Sequence, residues 1–140
     1  MAAASVYLKR LTCERYQRVW TPLTERRLIV EDHEGNSHPV EALSRGAREQ
    51  LYLAVRLAVI DRLAATGVEL PLLLDDVFVN FDQPRTEAAI DLLLEFASRG
   101  RQLVFVTCHQ HLVQMFRERG VEPTWLPGLA GDSRPDRLAG

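Results

Sequence analysis

The sequence is short of several things, and each shortage removes a class of function. It holds two cysteines, Cys13 and Cys108, too few and too far apart for a disulfide framework or a cysteine metal site. Both are expected as reduced thiols, in a cytoplasmic protein. Positive charge is not in excess: the net charge of −2 provides no global field to attract nucleic acid or an anionic membrane. No apolar run reaches membrane-spanning length, and the opening Met1–Ser5 is too short and uncharged for a signal peptide. The pattern GxxxxGK[ST] occurs nowhere in the 140 residues. Without that backbone nest and lysine, no stretch of this chain can cradle the β- and γ-phosphates of a nucleotide. What is present is 46% hydrophobic and 26% charged, enough to bury the core of one globular domain.

The apolar pattern predicts alternating helices and strands. From Ala2 to about Tyr16, Tyr7, Leu8 and Leu11 recur at helical spacing, with no capping residue ahead of them, as in a helix continued from upstream. Arg18-Val19-Trp20, Arg27–Val30 and His38-Pro39-Val40 read as a small antiparallel meander, with the turn signal Glu34-Gly35-Asn36 inside it and Pro39 marking an edge. Ser44 reads as the cap of a long helix ending at Gly67, apolar nearly all round except for a stripe of Arg45, Glu49, Tyr52 and Arg56. Pro71–Asp75 is a continuous apolar run, as expected of a parallel strand buried on both faces. Asp82 caps a second helix that stops at Gly100. Gln102–Thr107 is a second buried strand, His111–Arg119 a short helix, and Thr124-Trp125-Leu126 a last strand. The order implies an α/β fold with parallel strands and crossover helices.

Three places in this pattern suit phosphate chemistry. The N–H groups of the helix after Ser44 attract an anion, and Gly46 in the first turn lets one approach the backbone. The plain alternative is an ordinary capped helix. Asp75 and Asp76 follow Leu72-Leu73-Leu74, at the carboxyl end of a strand where parallel sheets present ligands. One carboxylate suits Mg²⁺ and the other suits deprotonation of a water. Asp82 is equally readable as a helix cap. His109 also follows a strand end, where it can reach a phosphate or polarise a water, and His111 lies close enough to share the role. His33 and His38 read as hairpin surface residues.

LSRGAREQ (Leu43–Gln50), PLLLDD (Pro71–Asp76), VNFD (Val79–Asp82) and VFVTCH (Val104–His109) together resemble, in order, the signature motif, Walker B strand, D-loop and switch-histidine strand of ABC-type ATPase heads. The resemblance covers Tyr7 to Trp125, and within that superfamily it is nearest to the SMC-like coiled-coil branch, with its YhaN-, SbcC- and RecF-like proteins. It implies an α/β C-terminal lobe over 1–127: residues 1–16 as the end of a coiled-coil arm, 17–42 as the meander, 43–127 as the motif-bearing part, and 128–140 as a flexible tail. It further implies that Ser44, Gly46, Gln50 and Asp82 bind ATP, Ser44 and Gly46 contacting nucleotide held by the opposite subunit. Asp75 would be the Mg²⁺-associated acid, Asp76 the general base and His109 the switch histidine. Two departures stand out: Asp76 replaces the more usual glutamate, and Cys108 stands between the threonine and the histidine.

The same resemblance implies the partners. They are an N-terminal Walker A lobe, without which the chain would not hydrolyse ATP, and a second head joined in an ATP-dependent homodimer. DNA is implied by the family alone, through repair or chromosome maintenance, and no membrane is implied. Two rival readings remain at this level: a small Mg²⁺-dependent phosphohydrolase or nuclease using Asp75, Asp76 and Asp82, and a non-catalytic docking module.

Overall fold

A computed structural model describes residues 1–22 and 27–126. Met1–Cys108 form one compact unit, and a second begins at His109. The first unit opens with helix α1 (Ala2–Leu11), which buries Ala4, Tyr7, Leu8 and Leu11 on one stripe and packs against α2, α3 and β1, three elements introduced below. It ends earlier than the expected Tyr16. The Thr12 hydroxyl donates back to the Leu8 carbonyl (2.8 Å) and accepts from the Tyr16 N–H (3.2 Å). Cys13 and Glu14 then turn the chain at positive φ (49° and 65°), so Tyr16 begins a strand instead.

Strands β1 (Tyr16–Trp20), β2 (Ile29–Asp32) and β3 (Ser37–Pro39) form the expected antiparallel meander, in that order, with Val19 opposite Val30 and Val30 opposite His38. Gly35 supplies the positive φ (85°) that the β2–β3 turn needs. The Asp32 carboxylate organises that turn, accepting the N–H groups of Glu34 (3.0 Å) and Asn36 (2.8 Å). A 3₁₀ turn at Val40–Ala42 leads into α2 (Arg45–Ala64).

β4 (Leu72–Asp75) and β5 (Leu103–Val106) pair in parallel, with α3 (Gln83–Ser98) as the crossover. α3 buries Ile90, Leu92, Leu93 and Phe96, each worth about 1.5–3 kcal/mol relative to exposure. The sheet differs from the sequence expectation in one respect. Leu72 and Leu74 are buried, but the opposite face, with Leu73 (65% exposed), Val104 (42%) and Val106 (38%), is bare. Nothing among the described residues covers it.

The second unit contains α4 (Gln110–Arg117), closed by Gly120 at φ 79°. The strand expected at Thr124–Leu126 does not form. Trp125 instead lies beside Arg117, whose guanidinium carbon is 5.9 Å from the ring centroid. The tail expected from Gly128 onward lies outside the described residues, and no helix among the described residues is long and apolar enough to cross a membrane.

Candidate functional site

The start of α2 is built by local rules. Ser44 is extended (φ −60°, ψ 159°), and its Oγ accepts the Ala47 N–H at 3.3 Å, leaving the exposed hydroxyl able to donate. Two of its neighbours make close contacts within this chain. A β-carbon on Gly46 would lie 2.6 Å from the carbonyl oxygen of Asn80, so the space its missing side chain leaves is filled by this chain's own backbone rather than kept clear for a phosphate. Gln50 is 1% exposed, and its amide donates to the Leu11 carbonyl at 2.8 Å. It ties α2 to the end of α1.

The carboxylate pair sits at the carboxyl end of β4. Asp75 is exposed there, on the bare face with Leu73. Asp76 is half-buried and left-handed (φ 44°), a conformation that is strained for a residue with a side chain and that concentrates at functional positions. Its N–H continues the ladder to the Val106 carbonyl at 3.0 Å, so the strain is held by the sheet. The Cys108 thiol donates to Asp76 Oδ2 at 3.5 Å. That hydrogen bond, followed by the carboxylate's charge and by burial, pushes the thiol pKa up.

Asp75 and Asp76 open on a cleft of about 380 Å³ whose other wall is the α2 stripe of Arg45, Glu49, Tyr52 and Arg56. Arg45 is paired with Glu49 (3.2 Å), whereas exposed Arg56 has no ion-pair partner among the described residues. Ser44 does not share this cleft. It borders a separate hollow with Arg15, Tyr16, His33 and His38. Within the signature-like stretch, Ser44 thus borders a different hollow from the Walker-B-like carboxylates, whereas Arg45 and Glu49 line the carboxylates' own cleft.

Asp82 performs the helix-cap role: Oδ1 accepts the Arg85 N–H at 3.1 Å and Oδ2 lies 3.4 Å from the Arg85 guanidinium. With both oxygens engaged, it makes a poor third metal ligand for the phosphohydrolase reading. His109 stands at the N-cap of α4 without a side-chain cap bond, its ring 5.6 Å from that of His111. A pair of contacts that sequence reasoning missed joins Glu49 and Asn80. Asn80 Nδ2 donates to both Glu49 oxygens, at 2.8 and 3.0 Å. Both residues lie inside the motifs already quoted, so the signal was present, but neither has a chemistry that spacing alone makes visible.

No family model matches the chain. It is 34% identical over 116 residues to YhaN of Bacillus subtilis, a protein described as uncharacterized, a match that covers 83% of this chain and 12% of YhaN. Among solved structures it is similar to the Smc head domain of Pyrococcus furiosus bound to the C-terminal domain of ScpA (TM-score 0.62, 16% identity, 81% of this chain and 29% of that one). It is also similar to the Smc head domain of Pyrococcus yayanosii with a coiled coil and joint (TM-score 0.63, 18% identity, 81% and 22%). A third similar structure comes from work on ATP-driven dimerization and DNA-stimulated activation of SMC ATPases (TM-score 0.59, 16% identity, 81% and 72%). The chain thus spans about an eighth of its curated relative and mostly a minor part of the head structures. The fold is therefore that of part of an SMC head domain.

Proposed function

We propose that this lobe contributes half of the machinery of an SMC-like ATPase, acting in cis through Asp75 and Asp76 and in trans through Ser44. The observation that carries the reading is the separation of these groups. Ser44 borders one hollow, and the carboxylates border another, shared with Arg45 and Glu49 and beside a bare apolar sheet face. A single nucleotide on this chain could not use both. Two nucleotides, each held mainly by a Walker A loop elsewhere, could.

The donor set fits Mg-ATP in part. Asp75 offers an exposed carboxylate at a strand end, the hard oxygen ligand that Mg²⁺ takes, and would hold the ion. Bound there, Mg²⁺ supplies charge neutralisation at phosphate. Asp76, held left-handed beside it, is suited to accept a proton from water. Ser44 and the first turn of α2 are suited to donate to phosphate oxygens. His109 is assigned the switch role by its place after β5. The partners in this reading are a Walker A lobe on the bare face and a second head, with DNA repair or chromosome maintenance in the cytoplasm as the setting.

The test is ATP-dependent crosslinking of heads in which this lobe is joined to its Walker A half. Ser44→Arg should leave the heads open, because an arginine at the cap blocks the approach of the opposite nucleotide. Asp76→Asn should trap them closed, because an amide cannot accept the proton from water. Wild-type behaviour from both variants contradicts the reading.

A further inference from the structure

The loop 77–81 leaves the strained Asp76 and returns across the first turn of α2, where three contacts of different kinds hold it. Phe78 is buried, with its ring centroid 5.3 Å from Phe81 and 5.0 Å from Phe105. The Asn80 carbonyl rests where a β-carbon of Gly46 would be, 2.6 Å from that point. The Asn80 amide donates to both oxygens of Glu49 (2.8 and 3.0 Å), and Arg45 Nε donates to Glu49 Oε1 from the other side at 3.2 Å.

A hydrogen bond between an exposed asparagine and a glutamate is ordinarily dispensable. Here it opposes a steric contact. If the start of α2 moves toward the loop, Gly46 pushes directly on the Asn80 carbonyl, with no flexible side chain to absorb the motion. If it moves away, the two Glu49 bonds, already at their normal length, resist being stretched. The loop is thus gripped in both directions, and its near end is Asp76, which is left-handed and whose N–H is tied to the Val106 carbonyl.

We propose that Glu49 and Asn80 are positioning residues: their clasp over Gly46 makes the first turn of α2 and the loop after Asp76 move as one body, so that anion contact at the start of α2 sets the Asp76 carboxylate in the separate cleft. This rests on the ATPase-lobe reading, and it adds to that reading a route within one lobe between its two sites.

The test uses the head completed with its Walker A half, and compares Asn80→Asp with Asn80→Asp/Glu49→Gln. The single change keeps the shape and sets two carboxylates face to face, opening the clasp. The double change restores it with donor and acceptor exchanged. The single variant should lose about 100-fold in kcat, the scale for a displaced catalytic group, with KM for ATP unchanged. The double variant should recover toward wild type. Gly46→Ala should also lose kcat, without rescue by Glu49→Gln. On the lobe alone, hydrogen exchange of the 77–81 amides should rise in Asn80→Asp and fall again in the double variant. Wild-type kcat in the single variant, or a double variant as slow as the single, overturns the proposal. Unchanged exchange in Asn80→Asp overturns the clasp whatever the ATPase does. A wild-type head without turnover overturns the ATPase-lobe reading itself, and the coupling with it.

Discussion

The two sheets of residues 1–108, one of three strands and one of two, end in different states. In the antiparallel meander, Val19 and Val30 turn inward and are buried, while Arg18 and Glu31 turn toward water and Pro39 blunts the last strand. None of the described residues of that sheet is a large hydrophobic left exposed. In the parallel pair, Leu72 and Leu74 are buried on one face, and Leu73, Val104 and Val106 are left bare on the other. Parallel strands with apolar residues on both faces occur where both faces are covered. On the proposed reading, the difference assigns the Walker A lobe to the face that carries Asp75, and not to the meander.

The contrast is sharpest between adjacent residues. Leu74 is 0% exposed and Leu73 is 65% exposed. Leu74→Ala should cost about 2–5 kcal/mol in urea unfolding, because it opens a cavity. Leu73→Ala should fall within about 0.5 kcal/mol of wild type, as substitutions away from packed positions do. Equal losses at the two positions would mean that the bare face is covered in the free lobe. Leu73→Lys should leave stability nearly unchanged and reduce self-association in light scattering, since it breaks a contiguous apolar patch. A wild-type lobe that stays monomeric over a wide concentration range would contradict the patch.

The α1 side of the molecule offers a smaller, pH-dependent contrast. Buried Tyr7 donates to Asp61 Oδ2, and its phenol is pushed up to about 12, first by burial and then by the hydrogen bond and charge of Asp61. A raised folded-state value means that this contribution is fully present below the unfolded tyrosine range, near pH 10, and is lost as pH rises through about 12. Tyr7→Phe should therefore be less stable than wild type at neutral pH, with the gap narrowing between those limits. A constant gap would show that packing alone, and not the hydrogen bond, holds α1. At the other end of the scale, the hydrogen bond from His38 to Asp32 (2.7 Å) holds that carboxyl well below the usual aspartate range. This stabilisation is present above that range and is lost as pH falls beneath it, so His38→Ala should flatten the acid limb of the unfolding curve. Asp32 is only half-buried, and this effect should be the smallest of the set.

How much of this was legible beforehand depended on how local the cause was. The caps at Ser44 and Asp82 and the stops at Gly67 and Gly100 follow from rules spanning a few residues, and all four stand as expected. The polar stripe of α2 was legible from helical periodicity, and it is the cleft wall. Features with distant causes were not legible. Gly46 is small because of the Asn80 carbonyl, and Gln50 is buried because the end of α1 lies over it. The premature end of α1 comes from a threonine hydroxyl that competes for backbone groups, a choice that the apolar stripe alone does not reveal. The continuous apolar run of β4 led to the expectation of two buried faces, and among the described residues only one of them is buried.

The central claim is that the bare face and its carboxylates await a Walker A lobe, and Mg-ATP turnover tests it most directly when measured on this lobe alone and again after a matching Walker A lobe is added. The account predicts no turnover alone, turnover on mixing, and its loss on mixing with Asp76→Asn. Turnover by the lone lobe that vanishes in Asp76→Asn would contradict it and make the chain a phosphohydrolase in its own right.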